Sequence, residues 1–141
     1  MMKNIYTFFL SFTFVTFAFS QQSLVQNPSL NFDGTKIAFG LYGDIWVSDA
    51  SGKNVKRLTV HESYDGNPLW SKDGRFIAFQ SDRYDNDDIF MIPSEGGVPK
   101  RLTFHSANDV ITDFVGNTEI LFNTSSNNVQ VERESQIQTV L

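Results

Sequence analysis

The chain has 141 residues, 40% of them hydrophobic, with a formal net charge of −5 and no cysteine. That length supports one modest core. The acidic balance without a basic patch excludes nucleic acid as a natural partner, and the absence of thiols excludes disulfides and a lipid anchor on cysteine, so stability must come from packing.

The first element is a targeting segment. Lys3 is the only charge before Asp33, and the stretch from Ile5 to Phe19 is apolar with a few Thr and Ser. Ala18 and Ser20 are small residues at the positions that a signal peptidase reads, and polar Gln21-Gln22 follows. This predicts a signal peptide over residues 1–20, cut after Ser20, and a periplasmic or secreted location. A transmembrane helix needs about 20 apolar residues, more than this stretch provides.

The rest of the chain repeats itself. Asn27 to Phe39, NPSLNFDGTKIAF, overlays Asn67 to Phe79, NPLWSKDGRFIAF, at an offset of 40. The second copy then carries four extra residues, after which Asp44-Ile45-Trp46 matches Asp88-Ile89-Phe90 at an offset of 44. Arg57-Leu58-Thr59 matches Arg101-Leu102-Thr103, and His61 matches His105, at that same offset. Within the second copy, four apolar runs are separated by turn residues: Pro68–Trp70, Phe76–Gln80, Asp88–Pro93 and Lys100–Phe104. Short strands closed by Asp-Gly and Gly-Gly form a four-stranded antiparallel sheet. A degraded third copy runs over Val110 to Phe122, with Phe114 in the place of Trp70 and Gly116-Asn117 in the place of Asp-Gly. A long polar loop from Asn123 to Ser135 follows, and Ile137 to Leu141 alternates like a third strand.

Four strands per unit at a period of about 40 to 44 residues is the pattern of β-propeller blades. The fold class is therefore all-β: a partial β-propeller of about two and a half four-stranded antiparallel blades after the signal peptide. The blades are expected at about residues 26–65, 66–109 and 110–141, the last truncated, in an incomplete propeller spanning 21–141. Ala38 and Ala78 are expected where blades approach closely, and Phe39, Phe79, Trp46 and Phe90 as the large side chains filling the space between blades. A propeller needs roughly four to eight blades to close. Exposed blade edges would then favour oligomers, and the chain reads as a fragment.

The runs NPLWSKDGRFIAFQSDR, DIFMIPSEGGVPKRLTFHSAND and ITDF resemble the N-terminal propeller of tricorn-type serine peptidases. Asp-Gly, Ile-Ala-Phe and Arg-Leu-Thr are shared with the TolB-like periplasmic propellers, whereas Arg101 to Ala107 followed by Asp109 favours tricorn. The resemblance covers about residues 26 to 125. It implies a propeller that admits or filters peptides ahead of PDZ-like and serine peptidase domains. The parent would be a hydrolase, with its catalytic serine far downstream of this segment. The alternatives are a non-enzymatic TolB-like propeller that binds a protein partner, and the propeller of an α/β-hydrolase-type aminopeptidase.

No catalytic, cofactor-binding or metal-binding residue is assigned. His61 and His105 read as repeat-fixed side chains at the end of a fourth strand, because no Glu or His accompanies them at ligand spacing. Asp82, Asp85, Asp87 and Asp88 read as a solvated loop in which one Asp caps a turn and Arg83 pairs with an acid. An EF-hand would need a Gly that is missing. Ser48, Ser71 and Ser81 sit in turns without a nucleophile motif, and Asn123-Thr124-Ser125 fits the glycosylation pattern. Tyr42, Tyr64 and Tyr84 are the candidates for touching an extended peptide at a channel mouth.

Overall fold

A computed structural model describes residues 24–117 and 119–125 and the backbone of residues 136–137. The predicted signal peptide, most of the long polar loop and residues 138–141 lie outside the described residues.

The first blade comprises β1 (Gln26–Leu30), β2 (Lys36–Leu41), β3 (Asp44–Asp49) and β4 (Lys56–Arg57), hydrogen-bonded in sequence order. The second repeats it with β5 (Asp65–Trp70), β6 (Phe76–Ser81), β7 (Asp88–Pro93) and β8 (Lys100–Arg101). The third sheet pairs β9 (Asp109–Val115) with β10 (Glu119–Thr124), and β10 with β11 (Gln136–Ile137). Every pairing is antiparallel, and the described residues contain no helix.

The turns follow from residue chemistry. Gly34 closes the β1–β2 turn with φ +72° and donates its N–H to the Asn31 carbonyl at 3.0 Å. Asp33 caps that turn by accepting the Thr35 N–H at 2.9 Å. Gly74 and Asp73 repeat the arrangement, with Asp73 accepting the Arg75 N–H at 3.1 Å. Only the glycine of each Asp-Gly pair is left-handed. The β2–β3 turn is the two-residue Tyr42-Gly43, with φ +52° and +81°, as a type I′ hairpin requires. Its counterpart in the second blade spans residues 82–87, so the four extra residues of the sequence overlay all fall in this loop.

The fourth strands are shorter than the Lys100–Phe104 run predicts. After Arg101 the ladder makes one more bond, Leu102 N–H to the Ile89 carbonyl at 2.7 Å. Thr103 Oγ1 then accepts the Ile89 N–H at 2.9 Å, taking the place of a backbone carbonyl. Thr59 does the same for Ile45, also at 2.9 Å. Beside each threonine an arginine pairs with an aspartate at the head of the third strand: Arg57 with Asp44, and Arg101 with Asp88 at 2.6 Å. The repeated Asp-Ile and Arg-Leu-Thr segments are thus a side-chain clamp that finishes strand pairing.

The core lies between the blades. Ala38, Ile45, Val47 and Leu58 of the first blade meet Trp70, Ile77, Phe79, Phe90 and Ile92 of the second. Ala78, Ile89 and Met91 face Phe114 and Ile120 of the third sheet. Side chains alternate across a strand, so Ala38 and Ala78, both fully buried, each face the following sheet. Phe79 and Phe90 fill the first seam as expected. Phe39 and Trp46 do not, because alternation turns them to the face of the first blade that points away from the second.

Candidate functional site

Antiparallel strands in sequence order put the second-to-third and fourth-to-first connections at one end of every blade. Tyr42, Tyr64, Tyr84, His61, His105 and the acidic loop 82–87 therefore share one rim. Tyr42 is exposed in its hairpin. The Tyr64 ring lies over Gly66, where a Cβ would come within 2.6 Å of it, and its hydroxyl donates to Gln26 Oε1 of β1. Tyr84 is held away from the first strands, stacked on Phe90 at 6.4 Å with the Arg101 guanidinium 4.0 Å from its ring centroid. Of the three tyrosines, Tyr64 contacts the first strands.

The acidic loop does not converge on a point. Asp82 Oδ1 accepts the Tyr64 N–H at 2.8 Å, which ties the loop to the connection leading into β5. Asn86 donates to the carbonyls of His105 and Ala107 at 3.1 and 2.9 Å, which ties it to the connection leading into the third sheet. Asp88 pairs with Arg101. Arg83 does pair with an acid, but with Asp65, which is fully buried, at 2.7 Å. His61 Nδ1 accepts the Ser63 N–H at 3.0 Å, and both histidines are exposed. Ser71 bonds within its turn, but Ser48 and Ser81 lie in strands β3 and β6 and not in turns as the sequence suggests. Asn123 is exposed, and its Nδ2 donates to Thr112 at 3.2 Å.

The first strands of successive blades converge, as Trp70 Nε1 shows by donating to the Ser29 carbonyl at 3.0 Å. Where they converge, Asn27 and Asn67 occupy the same repeat position and both are left-handed, with φ +46° and +51°. Each opens a bulge in its pairing with the second strand. Asn27 Nδ2 donates to Asn67 Oδ1, and Asn67 Nδ2 donates to Gln80 Oε1 at 2.8 Å. These carboxamides border an open cavity of about 300 Å³ whose other walls are Pro68, Leu69, Val110, Ile111 and Thr112.

Two features escaped the sequence reading. One is this relay, because a residue before proline is expected to be extended. The other is the pair of buried carboxylates heading the first strands, Asp65 and Asp109, both fully buried. They match at an offset of 44, the spacing of the other repeated pairs, and that was the available signal.

Convergent first strands, four-stranded antiparallel sheets and a core between sheets define blades of a β-propeller. The family described as the tricorn protease N-terminal beta propeller domain matches residues 22–141, and this chain belongs to it. It is 33% identical over 82 residues to a protein of Streptomyces coelicolor described as tricorn protease homolog 2, covering 57% of this chain and 7% of that protein. Among solved structures it superposes on TolB from Acinetobacter baumannii with a TM-score of 0.61 and 26% identity, over 73% of this chain and 28% of that one. The crystal structure of the tricorn protease gives 0.62 and 22% identity, over 71% of this chain and 11% of that one. The chain therefore spans only a small part of the length of these relatives.

Proposed function

We propose that this chain is part of the exported propeller of a tricorn-like serine peptidase and that the propeller admits or selects peptides for a catalytic domain encoded beyond Leu141. The family match over residues 22–141 carries the reading. The cavity bordered by carboxamides where the first strands converge supports it, because a passage for peptides needs polar groups that hold a chain without cleaving it. The signal peptide over residues 1–20 adds a periplasmic or secreted location to the proposal.

The binding half is tested by titrating fluorescent unstructured peptides into the folded chain, with saturable binding expected. A folded chain that binds none overturns it. The catalytic half is tested by the coding sequence beyond Leu141: a reading frame without PDZ-like and peptidase domains overturns it. N-terminal sequencing of the protein recovered outside the cytoplasm should begin at Gln21.

The 26% identity with TolB favours a second reading, a propeller that engages a folded protein partner. It predicts that the chain binds folded proteins and ignores unstructured peptides.

A further inference from the structure

Asn27 and Asn67 do something that the blade itself does not require. The third sheet makes the same bulge at the same place, between Ile111 and Asp113, with Ile111-Thr112 where the earlier blades have Asn-Pro. Neither Ile111 nor Thr112 is left-handed. The bulge therefore forms without asparagine and without a positive φ. Proline disfavours a helical backbone at the residue before it, so two left-handed Asn-Pro steps are held against local preference, as happens where a side chain must be aimed. What the conformation achieves is the relay Asn27 to Asn67 to Gln80 along the cavity wall.

The relay leaves capacity unused. A carboxamide offers two N–H donors and an oxygen with two lone pairs. Among the described residues, Asn27 Oδ1 accepts no hydrogen bond and Gln80 Nε2 donates none. One end of the relay offers an acceptor and the other a donor. Leu69, Val110 and Ile111 supply apolar surface on the same cavity. A peptide main chain presents N–H and C=O groups along its length while its side chains alternate to either side. Carboxamides match the first and the apolar surface accommodates the second. Among the described residues no charged side chain lines the cavity, so none of these selects a charged residue.

We propose that Asn27, Asn67 and Gln80 form a main-chain recognition site for an extended peptide, sequence-tolerant because it reads backbone amides. This deepens the peptide-admitting function and rests on it. The experiment measures the affinity of the full chain for a labelled, uncharged Ala-Gly-Ser octapeptide and for an analogue with ester links in place of alternate amides. Asn27→Gly and Asn67→Gly remove one carboxamide each, and glycine keeps the left-handed backbone without strain. Asn67→Asp keeps the shape and loses the donor to Gln80.

The expected result is that the ester analogue on the unaltered chain, and the amide peptide on each variant, bind about tenfold more weakly than the amide peptide on the unaltered chain, with each variant still melting cooperatively. Equal binding by the variants, or binding that requires a charged peptide, overturns the main-chain site and leaves the peptide-admitting function standing. Failure of the unaltered chain to bind any peptide overturns both.

Discussion

The first and second blades are built from matching residues and differ in what covers them. In the second blade Trp70, Ile77, Phe79 and Phe90 are at most 5% exposed, because the first blade lies against that face. The matching Leu30 is 59% exposed and Ile37 and Trp46 are half-buried, whereas Phe39, which matches Phe79, stays buried at 8%. Ala38 and Ala78 are both fully buried, since each has a following sheet to pack on. A repeat position thus has no fixed energetic value. The neighbouring blade sets it, as expected for arrays stabilised by nearest-neighbour interfaces.

The largest effect should come from breaking that contrast. Trp70→Ala removes a buried aromatic and its bond to Ser29, and should cost about 3–5 kcal/mol. Leu30→Ala, at the same repeat position, should cost less than about 1 kcal/mol. Urea unfolding of the two variants checks this, and similar costs would show that the first blade is covered in solution.

The two seams also differ in charge. At the first, Asp44 has Arg57 and Asp65 has Arg83, one cation for each buried acid. At the second, Asp88 has Arg101, while both oxygens of Asp109 are buried without a hydrogen-bond partner among the described residues. Arg83→Met strands the Asp65 carboxylate and should cost about 3–5 kcal/mol. Asp109→Asn removes a buried charge and should raise stability by about 1 kcal/mol. Chemical denaturation reads both, and a destabilised Asp109→Asn variant would show that the two seams are paired alike.

Much of this was legible in the residues, for reasons that can be named. Gly34 and Gly74 announce their turns because a left-handed residue is needed there. The offset change from 40 to 44 located the inserted loop because strands tolerate no net insertion without losing register. The fourth strand was read too long because a threonine hydroxyl at 103 imitates a backbone carbonyl, which no periodicity reveals. Arg83 was expected to find an acid, but its partner Asp65 has no counterpart in the first blade, where position 25 is Val. The carboxamide relay was hidden because it depends on a backbone conformation that the Asn-Pro sequence argues against.

The smallest effect is a pH dependence at the second seam. Burial raises the Asp88 carboxyl above its ordinary value, and nearby Asp109 adds to this, while Arg101 and Asn86 oppose it. The folded chain therefore holds that proton more tightly than the unfolded chain does. Between about pH 4, where an unfolded aspartate titrates, and the raised folded value, the folded state binds more protons, so this group makes stability fall as pH rises. Asp33 and Glu95 act in the opposite sense. The Thr35 hydroxyl and the Lys36 ammonium, respectively, lower their values, so their contribution is present above the unfolded value and lost as pH falls through the folded one. Asp88 thus blunts the rise in stability from acid to neutral pH. Asp88→Asn should show a steeper rise over pH 4–7 in urea midpoints. The slope is the readout, because the vertical offset also contains the lost contact with Arg101. Parallel curves would mean that Asp88 titrates alike in both states.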